Sequence, residues 1–217
     1  QGLAEAKANV VAVELDSRLP EVLAKTLEGY ENVRIVHGDI LKVNIREIIK
    51  SESFKVVANL PYYITTPIIM ALLEQHLPVK KLVTMVQKEV AERMVAKPGT
   101  KDYGALSVAV QYYTEPKIIL DVPPKSFIPS PAVDSVVICC DVREKPAVDV
   151  VNEKMFFRTV KAGFSQRRKT LNNALKTMGL GVEVVKNALE VAGIDGNRRG
   201  ETLSLEEFAA IANAIKG

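Results

Sequence analysis

Four short apolar runs, each followed by a stretch of different periodicity, constrain this chain more than any other feature. They are Asn9–Leu15, Val33–Val36, Lys55–Ala58 and Lys81–Val86, rich in Val, Ile and Leu, and three of the four are nearly continuous in apolar character. A strand with one wet face alternates apolar and polar residues, whereas a continuous run implies burial on both faces, as in a parallel sheet covered by helices. The intervening segments predict that cover as helices over Arg18–Leu27, Ile45–Lys50 and Pro67–His76. The third carries clear signals: Thr66 can cap it, Pro67 suits its first turn, and Ile68, Ile69, Leu72 and Leu73 form an inward stripe. Repeated strand–helix order predicts a doubly wound α/β domain with right-handed crossovers.

Further along, Glu89–Ala96 and Ala105–Tyr113 read as helices. Lys117–Leu120 and Ser135–Asp141 read as two more strands, separated by the proline-rich stretch Val122–Pro131. The apolar pattern lapses around Arg143–Val150, where Pro146 marks a boundary. Residues 1–143 are therefore expected to form the α/β domain and 144–217 a small all-helical one. Its predicted helices are Glu153–Ala162, Arg168–Met178, Val182–Ala192 and Leu205–Ile215, the last opened by Ser204 and Glu207 at capping-box spacing.

The longest uninterrupted apolar run, Ile68–Leu73, is six residues, too short to span a bilayer. No signal-peptide pattern opens the chain. Cys139 and Cys140 are adjacent in a predicted strand and point to opposite faces, which disfavours a disulfide between them. The cytoplasm is the expected compartment. His37 and His76 are far apart and no Cys/His ligand spacing exists, so no metal is expected.

The net charge of +3 is small but uneven. Residues 143–177 hold nine basic and three acidic groups, an excess of +6, against −1 before them and −2 after. Such an excess attracts polyanions, although a solvated helix face would produce the same pattern.

Glu14 ends the first strand and Asp39, in His37-Gly38-Asp39-Ile40, ends the second. At the carboxyl ends of such strands acidic side chains face the ligand crevice, where one can accept ribose hydroxyls and the other an exocyclic amine. Gly38 permits close backbone approach. A sharper signal is Asn59-Leu60-Pro61-Tyr62, directly after the third strand. Pro61 fixes its own φ and restricts Leu60 to extended conformations, aiming carbonyls at one point beside the Asn59 amide. An aromatic ring follows, able to stack on a flat ligand. Adenine N6 is a poor nucleophile because its lone pair is delocalised into the ring. Two acceptors gripping its hydrogens favour a pyramidal nitrogen with the lone pair directed at an electrophilic methyl. A β-turn with a buried aromatic would be the plainer reading.

These motifs, with Val11-Ala12-Val13-Glu14-Leu15-Asp16, Tyr103-Gly104-Ala105-Leu106-Ser107, Phe127-Ile128-Pro129-Ser130-Pro131 and Phe164-Ser165-Gln166-Arg167-Arg168-Lys169-Thr170-Leu171, resemble the ribosomal-RNA adenine N6,N6-dimethyltransferases of the small subunit. The resemblance covers essentially all 217 residues. It implies a Rossmann-like class I methyltransferase sheet, S-adenosylmethionine as methyl donor, no metal, and small-subunit ribosomal RNA as partner of a monomeric enzyme. Glu14 would take the ribose hydroxyls and Asp39 the adenine amine of that cofactor, with Ile40 packing nearby. Asn59 and the Leu60 and Pro61 carbonyls would hold the target N6, with Tyr62 and Phe127 bracketing the extruded base. Arg167, Arg168 and Lys169 would meet RNA phosphates, with Arg198 and Arg199 as second candidates.

The family's first strand and glycine-rich cofactor loop have no counterpart here. Gly179-Leu180-Gly181 follows a helix and reads as a helix stop. The sheet is therefore expected to be N-terminally truncated, and residues 1–217 alone to bind the cofactor weakly and be inactive. An erythromycin-resistance-type methylase of large-subunit RNA is a rival with the same motif. A non-catalytic RNA-binding assembly or transcription factor on this scaffold is another, and a DNA adenine methylase a weaker one.

Overall fold

The computed structural model describes every residue except Arg167, Lys216 and Gly217. The first half runs α1 (Gly2–Glu5), β1 (Val10–Glu14), α2 (Leu19–Thr26), β2 (Val33–His37), α3 (Ile45–Ile48), β3 (Phe54–Asn59), α4 (Thr65–Glu74) and β4 (Val79–Gln87). It continues with α5 (Lys88–Val95), α6 (Ala105–Tyr113), β5 (Thr114–Val122), β6 (Ser135–Val142), α7 (Glu153–Ser165), α8 (Leu171–Leu175), α9 (Val182–Val191) and α10 (Leu205–Ala214). Two compact units result, one of residues 1–54 and 66–79, the other of 55–65 and 80–217.

In the first unit β1 and β2 pair in parallel, Val10 opposite Val33 and Glu14 opposite His37. All five β1 residues are only half-buried, not covered on both faces as their composition predicts. Among the described residues β1 has a single neighbour, and a strand paired along one edge leaves the other uncovered. The α4 stripe matches expectation: Ile68, Ile69, Leu72 and Leu73 are buried.

The second unit carries a four-stranded sheet in the order β3-β4-β6-β5. β6 is antiparallel to both its neighbours, with Ser135 opposite Gln87 on one side and Val122 on the other. The inner strands hold the sheet's apolar interior: Leu82 and Val86 on β4, and Val136, Ile138 and Cys140 on β6. β3 lies at the edge and alternates, with Phe54, Val56 and Ala58 half-buried and the residues between them exposed. Cys139 and Cys140 are free thiols, and burial pushes the Cys140 thiol up to about 12.

The C-terminal helices share an aromatic core. Tyr112, Tyr113, Phe156 and Phe157 stack and meet edge to face, and both tyrosine hydroxyls donate to the Glu153 carboxylate. Phe208 is fully buried against Phe164, which meets Tyr103 edge-on at 5.7 Å. Tyr103 in turn donates to the Leu203 carbonyl at 2.8 Å. Gly163 and Gly200 bring α7 and the turn before α10 into backbone contact: a methyl group added at Gly200 would overlap the Gly163 carbonyl.

Candidate active site

Parallel pairing opens the carboxyl ends of β1 and β2 on one edge of the first unit. The ladder runs one step beyond β2, the Gly38 N–H donating to the Glu14 carbonyl at 2.9 Å. Glu14 and Asp39 thus come from adjacent strand ends. The Asp16 N–H donates to Glu14 Oε1 at 2.8 Å, which orients the carboxylate; Oε2 is unengaged among the described residues. Asp39 Oδ1 accepts from the Leu41 N–H at 3.0 Å, and Oδ2 lies 3.4 Å from Lys42 Nζ. Ile40 is half-buried and Leu15 exposed, so apolar surface flanks the two acids. A Cβ on Gly38 would come within 2.7 Å of Val43 Cγ1, so the close approach this glycine allows is to the chain's own side chain.

The Asn59–Tyr62 elbow belongs to the second unit. Asn59 is exposed at the end of β3, and its amide has no hydrogen-bond partner among the described residues. Leu60 is buried, its N–H donating to the Met85 carbonyl of β4 at 3.4 Å. Pro61 takes φ −58° and ψ 132°, and a 3₁₀ turn over Tyr62–Ile64 leads straight into α4. The Pro61 carbonyl accepts from the Ile64 N–H at 3.1 Å and from Thr65 Oγ1 at 3.0 Å. Both lone pairs of that oxygen are taken within the turn. Among the described residues Asn59 Oδ1 and the Leu60 carbonyl accept no hydrogen bond, so they stay open to a donor while the Pro61 carbonyl is engaged within its own turn.

Tyr62 is half-buried, its hydroxyl 2.6 Å from Ser135 Oγ at the start of β6. Phe127 follows a 3₁₀ turn over Pro124–Ser126, its N–H donating to the Pro124 carbonyl at 3.1 Å, and is half-buried. Thr65 and Ser135 were invisible as site residues in the sequence. Each reads as an ordinary helix or strand residue until the fold places its hydroxyl on the elbow.

On the helical side Lys154, Arg158 and Lys161 recur at i, i+4 and i+7, forming one exposed face of α7. Arg168 and Lys169 lie exposed just beyond its end; Arg167 is outside the described residues. Arg198 is committed to the fold. Its guanidinium bridges both Glu207 carboxylate oxygens and donates to Thr202, which raises its pKa and lowers that of Glu207. Arg199 is more exposed, 4.0 Å from Glu201. Gly179, at φ +75°, ends a 3₁₀ turn as expected of a helix stop. No helix is long and apolar enough to cross a membrane among the described residues.

The family model described as "Ribosomal RNA adenine dimethylase" matches residues 1–216. Among curated proteins the chain is 52% identical to "Ribosomal RNA small subunit methyltransferase A" of Alkaliphilus oremlandii, over 99% of this chain and 77% of that one. It is 54% identical to the protein of the same name from Clostridioides difficile, over 95% of this chain and 73% of that one. Among solved structures, a dimethyladenosine transferase from Plasmodium falciparum superposes with a TM-score of 0.78 at 26% identity, covering 94% of this chain and 80% of that one. The 23S rRNA methyltransferase ErmE gives 0.69 at 25% identity, over 98% of this chain and 84% of that one. Rossmann-like α/β architecture, motif set and family match agree, and the chain belongs to the ribosomal RNA adenine dimethylases.

Proposed function

We propose that this chain belongs to an enzyme that transfers methyl groups from S-adenosylmethionine to N6 of two adjacent adenosines in small-subunit ribosomal RNA, acting as a monomer on the immature subunit during ribosome biogenesis, with residues 1–217 by themselves inactive. The observation that carries the reading is the elbow at 59–62: an exposed amide at a strand end, a proline turn whose own carbonyl is internally satisfied, and a half-buried aromatic ring. Neutral Asn59 accepts from the target amine without bringing charge to the site. With the Leu60 carbonyl it would hold both N6 hydrogens, and Tyr62, with Phe127, would present ring faces to the unstacked base.

Residues 1–143 are the methyl-transfer part in this reading and 144–217 the RNA-binding part. Glu14 and Asp39 fit the adenosine half of the cofactor, since carboxylates at adjacent parallel strand ends suit a ribose diol and an amine. The bound cofactor supplies an electrophilic methyl on a sulfonium; the chain supplies position and acceptors. Arg168, Lys169 and Arg199 would meet phosphates, which position the RNA without reading its sequence.

The test is transfer of labelled methyl to unmodified small subunits by the product of the complete reading frame, by its Asn59→Ala variant, and by residues 1–217. Transfer by the first alone is expected, with RNA binding kept in all three. Equal transfer with and without the Asn59 amide would defeat the assignment. Methylation of large subunits instead would favour the ErmE-type reading.

A further inference from the structure

The geometry points to Ser135 as a positioning residue of the target-base pocket, acting through the Tyr62 ring; this rests on the proposed function. Ser135 and Tyr62 are 73 residues apart in sequence, yet their hydroxyls share a hydrogen bond of 2.6 Å. Ser135 is 1% exposed and opens β6, an inner strand of its sheet, opposite Gln87 on one side and Val122 on the other. Just before it, the Asp134 carbonyl accepts from the Lys88 N–H at 3.0 Å, so the main chain is held there as well. Its hydroxyl is therefore a fixed point.

Tyr62 is placed differently. It lies in a single 3₁₀ turn between β3 and α4, and its neighbour Tyr63 is 84% exposed. A half-buried ring in such a turn can swing about its side-chain torsions. A bond from its far end to a sheet interior removes that freedom and sets the plane on which a purine would stack. Thr65 braces the other end of the same turn through the Pro61 carbonyl. The elbow is thus held at both ends by buried hydroxyls. A ring fixed before the base arrives saves ordering entropy on binding, the general route by which preorganisation raises affinity and rate.

The tether can be read without turnover. The six tyrosines of residues 1–217 are labelled as 3-fluorotyrosine, and the fluorine signal absent from Tyr62→Phe identifies Tyr62. Ser135→Ala should shift and broaden that signal alone, and Ser135→Thr, which keeps the hydroxyl, should restore it. Adenosine serves as the probe of the pocket, with the Tyr62 signal as readout. Half-saturation in Ser135→Ala should need on the order of fivefold more adenosine, the effect of one net hydrogen bond. In the complete protein kcat should fall by a similar factor with KM for small subunits unchanged. Adding Tyr62→Phe to Ser135→Ala should cost nothing further, because both remove the same bond. A Tyr62 signal unmoved by Ser135→Ala, an adenosine response kept in full by that variant, or multiplying losses in the double variant would overturn the positioning role. Adenosine that leaves even the wild-type Tyr62 signal unmoved would instead count against the proposed function, and the role with it.

Discussion

Asn59 offers one amide oxygen and an NH2 donor; an aspartate at the same place would keep an acceptor there, replace the donor by a second oxygen and add a negative charge. Asn59→Asp should therefore keep more methyl transfer than Asn59→Ala, which removes an acceptor altogether and should lose about a hundredfold or more in kcat. Because Asn59 is exposed, neither change should move the melting temperature by much. Glu14→Gln weakens a charge-assisted acceptor, and calorimetric titration of the complete protein with S-adenosylmethionine should read a loss of about tenfold. Residue identities at the candidate site were legible in the sequence because acceptors at strand ends and a proline elbow are local patterns. Which oxygens remain available was not. The Pro61 carbonyl is filled by groups three and four residues ahead, and the Tyr62 hydroxyl by one on another strand. Those pairings exist only once the turn and the sheet have formed.

At the scale of elements, cap chemistry marked the start of α10 but not that of α4, whose expected cap Thr66 lies inside the helix Thr65–Glu74. α10 begins after Ser204, with the Glu207 N–H donating to Ser204 Oγ and the Ser204 N–H to Glu207 Oε2, as the capping-box spacing predicts. α6 spans the predicted Ala105–Tyr113. Strand burial was misread at β1 and β3, because an apolar run encodes no count of neighbours and both strands are edges. Glu207 serves the cap and Arg198 together, so Glu207→Ala should destabilise the protein by about 1–2 kcal/mol, more than an ordinary surface change. Arg198 holds the Glu207 carboxyl below its ordinary 4.5. A depressed folded-state pKa means this stabilisation is complete above the unfolded value and drains away as pH falls through the folded one. Thermal melts should therefore show the wild-type advantage over Glu207→Ala at neutral pH and its shrinkage below about pH 4.

For the whole molecule, the decisive quantity is where charge lies, since the total is only +3. The basic excess of residues 143–177 is carried largely by exposed side chains of α7 and the segment after it. If these meet phosphates, replacing Arg168, Lys169 and Arg199 by alanine should weaken RNA binding evenly across sequences. The slope of log affinity against log salt should then become shallower by about two to three, as fewer counterions are released. An unchanged slope would place the RNA elsewhere.

The contact between Gly163 and Gly200 gives that surface a property its charges cannot. Where two main chains touch with nothing between them, there is no side chain to change rotamer and take up slack. The basic end of α7 and the Arg199 turn therefore behave as a single rigid jaw, whose spacing is set by backbone thickness. Gly200→Ala would pry that jaw open, lowering stability by about 1–3 kcal/mol and shifting Arg199 relative to the cations of α7, with every charge retained.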